Sequence, residues 1–430
     1  MYQRFRSSLQ NNRKIVAFLT SQAISLFGSS LVQYAIMWNI TLSTQSGVVL
    51  AIYSVCSFLP QIIVSLFAGV FADRYDRKKL IIIADGTIAL STLALIFLTM
   101  AGYTGLVPIY IVAAIRSLGS GVQNPAVNAI LPQIVPEEKL MRVNSINGTI
   151  QSVVMLVAPA VAGAVLALGT LPQILMIDVV TAAIGIGILA VMHIAPNPQM
   201  QKSANEKLDV FGDLVTGVRY TFGNFFVRRL TLYSLAANLM VVPLALFNVL
   251  FVTRAYGDSY FYLTANEIAF FVGSIIGGIV LASWGGFKNR LLTLAFGCAV
   301  FGAMGIAIGF VPPFWVYLGF MVVIGLTMPT FQTPIMVLLQ EKVPGTMLGR
   351  VFSLIQIVSI SVMLIGSVVF GPLFDIISIQ SVMKVTGLLM LVYTAVLLLD
   401  KQFLREGFAP AKTEETLPQL TETPTATEEN

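Results

Sequence analysis

The sequence predicts an all-α membrane protein in which twelve transmembrane helices form two pseudo-symmetric six-helix bundles. Three observations carry that prediction. Only 10% of the 430 residues are charged, 57% are hydrophobic and the mean hydropathy is +0.86. A soluble globular chain carries about 25% charged residues, and water cannot solvate a surface built from so few. Second, the chain divides into twelve apolar runs, each near the length of about 20 residues that a helix rising 1.5 Å per residue needs to cross roughly 30 Å of hydrocarbon. Third, the basic residues collect in every second link between runs, so the formal charge of +5 reflects membrane topology and not nucleic-acid binding. A soluble enzyme is excluded. Cys56 and Cys298 lie inside apolar runs and make neither a disulfide framework nor a metal site, and His193 alone leaves little room for histidine-based catalysis.

Taken in order, the runs cover residues 15–39, 47–71, 80–101, 106–132, 143–167, 172–193, 230–253, 266–285, 291–311, 314–339, 350–374 and 381–400. The first follows Arg4, Arg6, Arg13 and Lys14 as a signal peptide would. It is too long for an h-region, includes Gln22, Gln33 and Asn39, and lacks a cleavage site, so it is expected to stay in the mature protein. With the N-terminus inside, the cytoplasmic links hold Arg74, Arg77, Lys78 and Lys79; Lys139 and Arg142; Lys202, Lys207, Arg219, Arg228 and Arg229; Lys288 and Arg290; Lys342 and Arg350. Of 25 basic residues, only Arg116, Arg254 and Lys384 fall within a span or on the outer side. This bias orients the chain during insertion and places both termini in the cytoplasm. Trp38, Trp284 and Trp315 fall at predicted span ends, where interfacial anchors belong.

The longest interior hydrophilic stretch separates six spans from six. The expected organisation is a bundle over 1–194, a cytoplasmic linker over 195–229, a second bundle over 230–404 and a disordered acidic tail over 405–430. Within the linker, Phe211, Leu214, Val215, Val218 and Phe222 recur at helical spacing, which reads as an amphipathic helix on the membrane surface or as a solvated linker helix. The halves repeat at a fixed offset of 208: Pro136, Arg142, Ser145, Val154 and Gly163 meet Pro344, Arg350, Ser353, Val362 and Gly371. Pro, Arg and Ser in register at a span boundary carry more weight than matching apolar residues. A parallel six-plus-six repeat implies a central cavity between the bundles and alternating access by rocking one against the other.

The link after span 2 reads Gly69-Val70-Phe71-Ala72-Asp73-Arg74-Tyr75-Asp76-Arg77-Lys78-Lys79. Glycine lets helices approach closely, and an acid among four bases at a membrane face suits a helix cap or a charge network. A plain positive-inside loop needs the bases but neither Gly69 nor Asp73. This segment resembles the G-x-x-x-D-R-x-G-R-K/R-K/R signature of the major facilitator superfamily, departing at Asp76, where glycine is commonest. Arg116-Ser117-Leu118-Gly119-Ser120-Gly121, Asn124-Pro125-Ala126-Val127-Asn128-Ala129 and Gly349-Arg350-Val351-Phe352-Ser353-Leu354 resemble macrolide-efflux (Mef-type) exporters, in a drug:proton antiporter branch that also includes siderophore exporters. The resemblance implies the fold, outward transport and coupling to a proton gradient, with no cofactor. It also implies a conformational switch at Gly69, Asp73, Arg74, Arg77 and Lys78, and a part for Arg116 in proton coupling.

Arg116 lies about ten residues into span 4, where a charge costs about 2.5–3.5 kcal/mol on insertion scales. It should face the cavity or a partner, either as a coupling residue or as one member of a structural ion pair. Three acids are weighed as proton carriers. Asp178 lies within span 6, about 10 Å from the outer surface at 1.5 Å per residue, as a carrier or as a permanent partner of Arg116. Glu267 opens span 8, lining the cavity or marking a solvated helix start. Asp85, one to two turns inside span 3, reads as part of the charge network of the basic loop. Span 5 carries Ala158-Pro159-Ala160-Val161-Ala162-Gly163, similar to the G-P-x-x-G-G antiporter motif with alanine replacing two glycines. There Pro159 frees a carbonyl and bends the helix, and Gly163 permits close packing.

Gln22, Gln33, Tyr34, Asn39, Asn238, Asn248, Gln332 and Gln356 are the polar residues on candidate cavity spans, and 28 Phe and 17 Met suit a large adaptable apolar pocket. The expected activity is proton-coupled export of amphiphilic drugs, macrolides first, by a monomer in the bacterial plasma membrane. The alternative is export of a siderophore or lipid-like metabolite by the same architecture. A receptor or scaffold requires no buried arginine or intramembrane acids, and an intramembrane enzyme would need an H-E-x-x-H, G-x-S-x-G or paired-aspartate motif that the chain lacks.

Overall fold

A computed structural model describes residues 2–103, 105–194 and 210–408. Residues 195–209 of the expected linker and the tail from 409 lie outside the described residues, as do the side chains of residues 68–74, which include Gly69, Asp73 and Arg74. Twelve helices among the described residues are long and apolar enough to cross a membrane. They are, as spans 1 to 6, Arg13–Thr44, Gly47–Ser65, Arg77–Met100, Leu106–Ile134, Glu138–Leu168 and Leu171–Val191. Spans 7 to 12 are Phe225–Tyr256, Tyr260–Trp284, Arg290–Ile308, Phe314–Lys342, Met347–Ile376 and Ile379–Leu399.

Most of these helices overrun the apolar runs that locate them. A helix closes its own backbone hydrogen bonds, so nothing stops it at the hydrocarbon boundary. Lys139, Arg142, Arg228, Arg229 and Lys342 ride on those extensions, where long side chains reach the headgroups. The overrun corrects one expectation. Trp38 does not mark an interface: span 1 continues to Thr44, and Trp38 is fully buried in the core. Trp284 and Trp315 sit exposed at helix ends as expected.

Side-chain caps start several spans. Asp76 accepts from the backbone N–H groups of Lys78 (2.9 Å) and Lys79 (3.3 Å) at the start of span 3. Asn224, Ser259 and Asn289 cap spans 7, 8 and 9 in the same way, satisfying donors that a helix start leaves free. Span 7 is broken. Pro243 removes a backbone donor, the first segment ends at Leu246, and a second runs Asn248–Tyr256.

The packing repeats. In the first half, spans 1·6, 2·4, 3·4, 3·6 and 1·5 pack together, and in the second half the counterparts 7·12, 8·10, 9·10, 9·12 and 7·11 do the same. Between halves, span 2 packs on span 11 and span 5 on span 8, two pairings that exchange under the same repeat. The offset of 208 extends to helix boundaries. Helices Leu106–Ile134, Glu137–Leu168 and Leu171–Val191 recur as Phe314–Lys342, Gly345–Ile376 and Ile379–Leu399. A linker helix, Val210–Gly223, packs on span 11, with Gly217 against the Arg350 backbone. Its Val215 and Phe222 are exposed, so an apolar side faces away from the protein.

Candidate functional site

Each of the three basic residues outside the basic links has a partner. Arg116 pairs with Asp178, Arg254 with Asp375, and the Lys384 ammonium lies 4.1 Å from the centre of the Phe310 ring. A cation in a span is costly unless its charge is answered.

Arg116 Nη1 donates to Asp178 Oδ2 at 2.5 Å, and the Asp178 side chain has no exposed surface. Thr92 ties the pair together: its hydroxyl donates to Asp178 Oδ2 at 3.0 Å and accepts a hydrogen bond from Arg116. Ser29 donates to Asp178 Oδ1 at 3.4 Å, and its carbonyl accepts from Arg116 Nη2 at 3.3 Å. Spans 1, 3, 4 and 6 therefore converge on one buried ion pair whose lone pairs and protons are largely used. That is the condition under which a buried pair is tolerated.

Asp85 belongs to this centre and not to the basic loop. It is buried, hydrogen-bonded by Ser25 and Gln123, and lines with Arg116 a cavity of about 240 Å³. Helical geometry explains the difference from expectation: six residues beyond Lys79, the inward face of span 3 is turned toward spans 1 and 4. The loop bases bind elsewhere. Arg77 Nη1 donates to the Ala129 carbonyl (2.7 Å), and Lys78 Nζ donates to the carbonyls of Ala190 and Met192 (both 2.8 Å). Lys78 thus holds the carbonyl-rich end of span 6, where a cation is favoured, and Arg77 ties the loop to span 4 five residues before that helix ends.

A second cavity, of about 260 Å³, lies between the halves. Gln33, Tyr34, Tyr53, Ser57 and Phe58 line it from spans 1 and 2, and the break in span 7 with Glu267, Phe270, Met321 and Met328 lines it from the other side. Gln33, Tyr53, Ser57 and Phe58 also line the first cavity, so the two adjoin. Glu267 does not open its helix. Span 8 begins at Tyr260, and seven residues further in Glu267 lies about 10 Å deep at 1.5 Å per residue. Arg254 and Asp258 make the stretch before it read as an outer loop, although the helix already starts at Tyr260. Among the described residues no cation pairs with Glu267; its hydrogen bond comes from Asn266 Nδ2 at 3.4 Å. Beside it, the Tyr317 hydroxyl bonds Asn266 Oδ1 at 2.5 Å and Asn248 Oδ1 at 3.5 Å. Of the polar residues singled out in the sequence, Gln33, Tyr34 and Asn248 reach this cavity. Gln22 instead bonds Gln123, and Asn238 its own helix.

Pro159 sits inside a span 5 helix that stays continuous from Glu137 to Leu168. Gly163 lies where span 5 meets span 8. A Cβ there would stand 1.7 Å from Thr264 Oγ1 and 3.0 Å from Thr264 Cβ, so a larger residue would force Thr264 to move, and glycine lets the halves approach closely.

Comparisons with known proteins agree with this architecture. The family model described as Major Facilitator Superfamily matches residues 15–367. Macrolide efflux protein A of Streptococcus pyogenes is 28% identical over 383 residues, covering 88% of this chain and 93% of that protein. The Staphyloferrin A transporter of Staphylococcus aureus is 26% identical over 179 residues, 41% of this chain and 45% of that one. A crystal structure of the nucleoside transporter NupG superposes with a TM-score of 0.69 at 15% identity, over 90% of this chain and 98% of that chain.

Proposed function

The chain belongs to the Major Facilitator Superfamily, a family of multi-pass membrane transporters, and from that premise we propose that it is a proton-coupled exporter of amphiphilic drugs, macrolide-type antibiotics first. It works by alternating access in the bacterial plasma membrane, as a monomer with both termini in the cytoplasm. The observation that carries the reading is the cavity shared by both halves, apolar and methionine-lined, with Glu267 as a carboxylate that no described cation answers. Flexible thioethers and aromatic rings accommodate bulky apolar bodies of varied shape. A carboxylate in such surroundings is expensive alone and accepts either a proton or the cationic amine of a substrate. Occupancy by one excludes the other, which is the exchange an antiporter requires. Arg116 and Asp178 serve the same cycle from the first half: a proton reaching Asp178 breaks the pair and frees Arg116 to reorganise the adjoining cavity. Gly69, Asp73 and the neighbouring bases form the conformational switch on the cytoplasmic face.

The relatives named for macrolide efflux support this substrate class. A second reading, export of a siderophore, is favoured by the relative named as a transporter of staphyloferrin A.

The test is accumulation of erythromycin, ethidium and staphyloferrin A in cells with and without the protein. Erythromycin should accumulate less in expressing cells, and a protonophore should abolish the difference. A difference that survives the protonophore removes proton coupling. Reduced accumulation of the siderophore alone selects the second reading.

A further inference from the structure

Span 11 ends with an acid on the wrong end of its helix. Asp375 is the penultimate residue of Gly345–Ile376, where a carboxylate meets the negative end of its own helix dipole. Its own helix gives it no reason to be there, but span 2 of the other half does. Asp375 accepts from Ser46 Oγ (2.8 Å), Gly47 N (2.7 Å) and Val48 N (3.0 Å). These are the free donors at the start of span 2, a positive helix end that binds anions. Arg254 Nη2, from the end of span 7, completes the carboxylate's shell at 3.0 Å. The same guanidinium donates to the carbonyls of Phe374 and Gln45, each at 2.5 Å. It thereby holds the link between spans 1 and 2, whose Gln45 adopts a left-handed φ of 46°. Gln45 Nε2 reaches back across to Asp258 Oδ1 at 2.8 Å.

One turn before the acid, Gly371 makes room for this contact. A Cβ on Gly371 would stand 2.6 Å from the Ala51 Cβ, and one on Gly47 would stand 2.2 Å from the Gly371 carbonyl oxygen. The segment Gly371-Pro372-Leu373-Phe374-Asp375 repeats the spacing of Gly69-Val70-Phe71-Ala72-Asp73, and both acids fall in the last turn of their helices. The two segments lie at opposite faces of the molecule, on the two helices that pack together across the halves.

We propose that Gly371, Asp375 and Arg254 form a latch that closes the face opposite the basic links, and that transport requires its release. The role is one of positioning, since Asp375 contacts the helix start of the other half and not the cavity. Asp375→Asn keeps the shape but loses the charge, leaving Arg254 without its counter-ion and the span 2 N–H groups with a weaker acceptor. The balance then shifts toward states open on that face. This goes beyond the export reading, because a latch of this kind serves whatever the cavity carries.

The experiment uses the full chain with Cys56→Ser, Cys298→Ser and a reporter Ser57→Cys, a position that lines both cavities. In oriented proteoliposomes, a membrane-impermeant maleimide is applied to the face opposite the basic links. Asp375→Asn and Arg254→Gln should each raise the labelling rate roughly tenfold, as a shifted two-state equilibrium does. Labelling from the other face should slow, and net transport should fall while ligand affinity holds. Parent labelling rates in both variants, with unchanged transport, overturn the latch. Should Asp375→Asn fail to reach the membrane, Arg254→Gln decides on the same rates.

Discussion

The two halves share their packing and differ in their polar content. At the offset that superposes helix boundaries from Leu106–Ile134 on Phe314–Lys342 through Leu171–Val191 on Ile379–Leu399, Arg116 corresponds to Ile324 and Asp178 to Thr386. Ile324 is fully buried and lines the inter-half cavity, and Thr386 spends its hydroxyl on the carbonyls of Val382 and Met383. In the other direction, Tyr317, which organises Asn266 and Asn248, corresponds to Ile109 in the first half. Gly163 and Gly371 are equivalent and both make close approaches, but Asp375 corresponds to Ala167, so the contact of span 5 with span 8 lacks the acid that span 11 brings to span 2. Backbone and small residues carry the repeat because interhelical packing depends on them. Charges break it because each half needs only its own function, and every buried charge costs free energy.

The sharpest way to break this comparison is to remove the charge that only the first half has. Arg116→Ala leaves Asp178 buried without its partner, a change that destabilises by about 3–5 kcal/mol, and drug export should disappear. Thermal unfolding of the purified protein and accumulation assays measure the two effects. Adding Asp178→Asn should recover much of the stability but none of the export, since the stranded charge is gone. A double variant as unstable as Arg116→Ala would mean that the pair does not act as a unit. Second in effect is Glu267→Gln in the other half. Among the described residues it breaks no ion pair, and it removes a charge that apolar surroundings penalise, so stability should not fall. Export should nonetheless lose its dependence on the pH gradient. If gradient-driven drug flux in vesicles is unchanged, Glu267 takes no part in the exchange and the coupling rests with Asp178.

These expectations also mark how far the sequence could be read. Span count, the repeat and the family were legible because each is written in many residues at once: hydropathy over twenty positions, or an offset shared by Pro136, Arg142 and Gly163. Arg116 and Asp178 were legible as costly charges, and the structure supplies their pairing. The setting of Asp85 was not, since six residues along a helix from a basic loop say nothing of which face turns inward. Glu267 reads as a helix start because the charges of Arg254 and Asp258 mark an outer loop just before it, and the apolar run resumes only at 266. The contacts of Asp375 join residues more than 300 positions apart. The spacing it shares with Asp73 was the one signal that pointed to it.

The smallest effect concerns the helix starts, where the halves differ again. Span 3 is capped by an acid, Asp76, and span 9 by a neutral amide, Asn289. Asn289 is buried and also donates to the Leu404 carbonyl at 2.8 Å, so its role extends beyond the cap. Asp76 has a simpler task, with both described side-chain bonds going to the backbone of the next turn. Replacing it by alanine should cost about 1 kcal/mol, whereas glycine, the residue that the superfamily signature carries there, should cost only a few tenths. Glycine lets water reach the free N–H groups and adopts the cap conformation readily, which makes Asp and Gly near-equivalent solutions at one position. Unfolding midpoints of Asp76→Ala and Asp76→Gly should therefore separate, with alanine lower. Equal midpoints would show that Asp76 serves the loop's charge network and not the start of span 3.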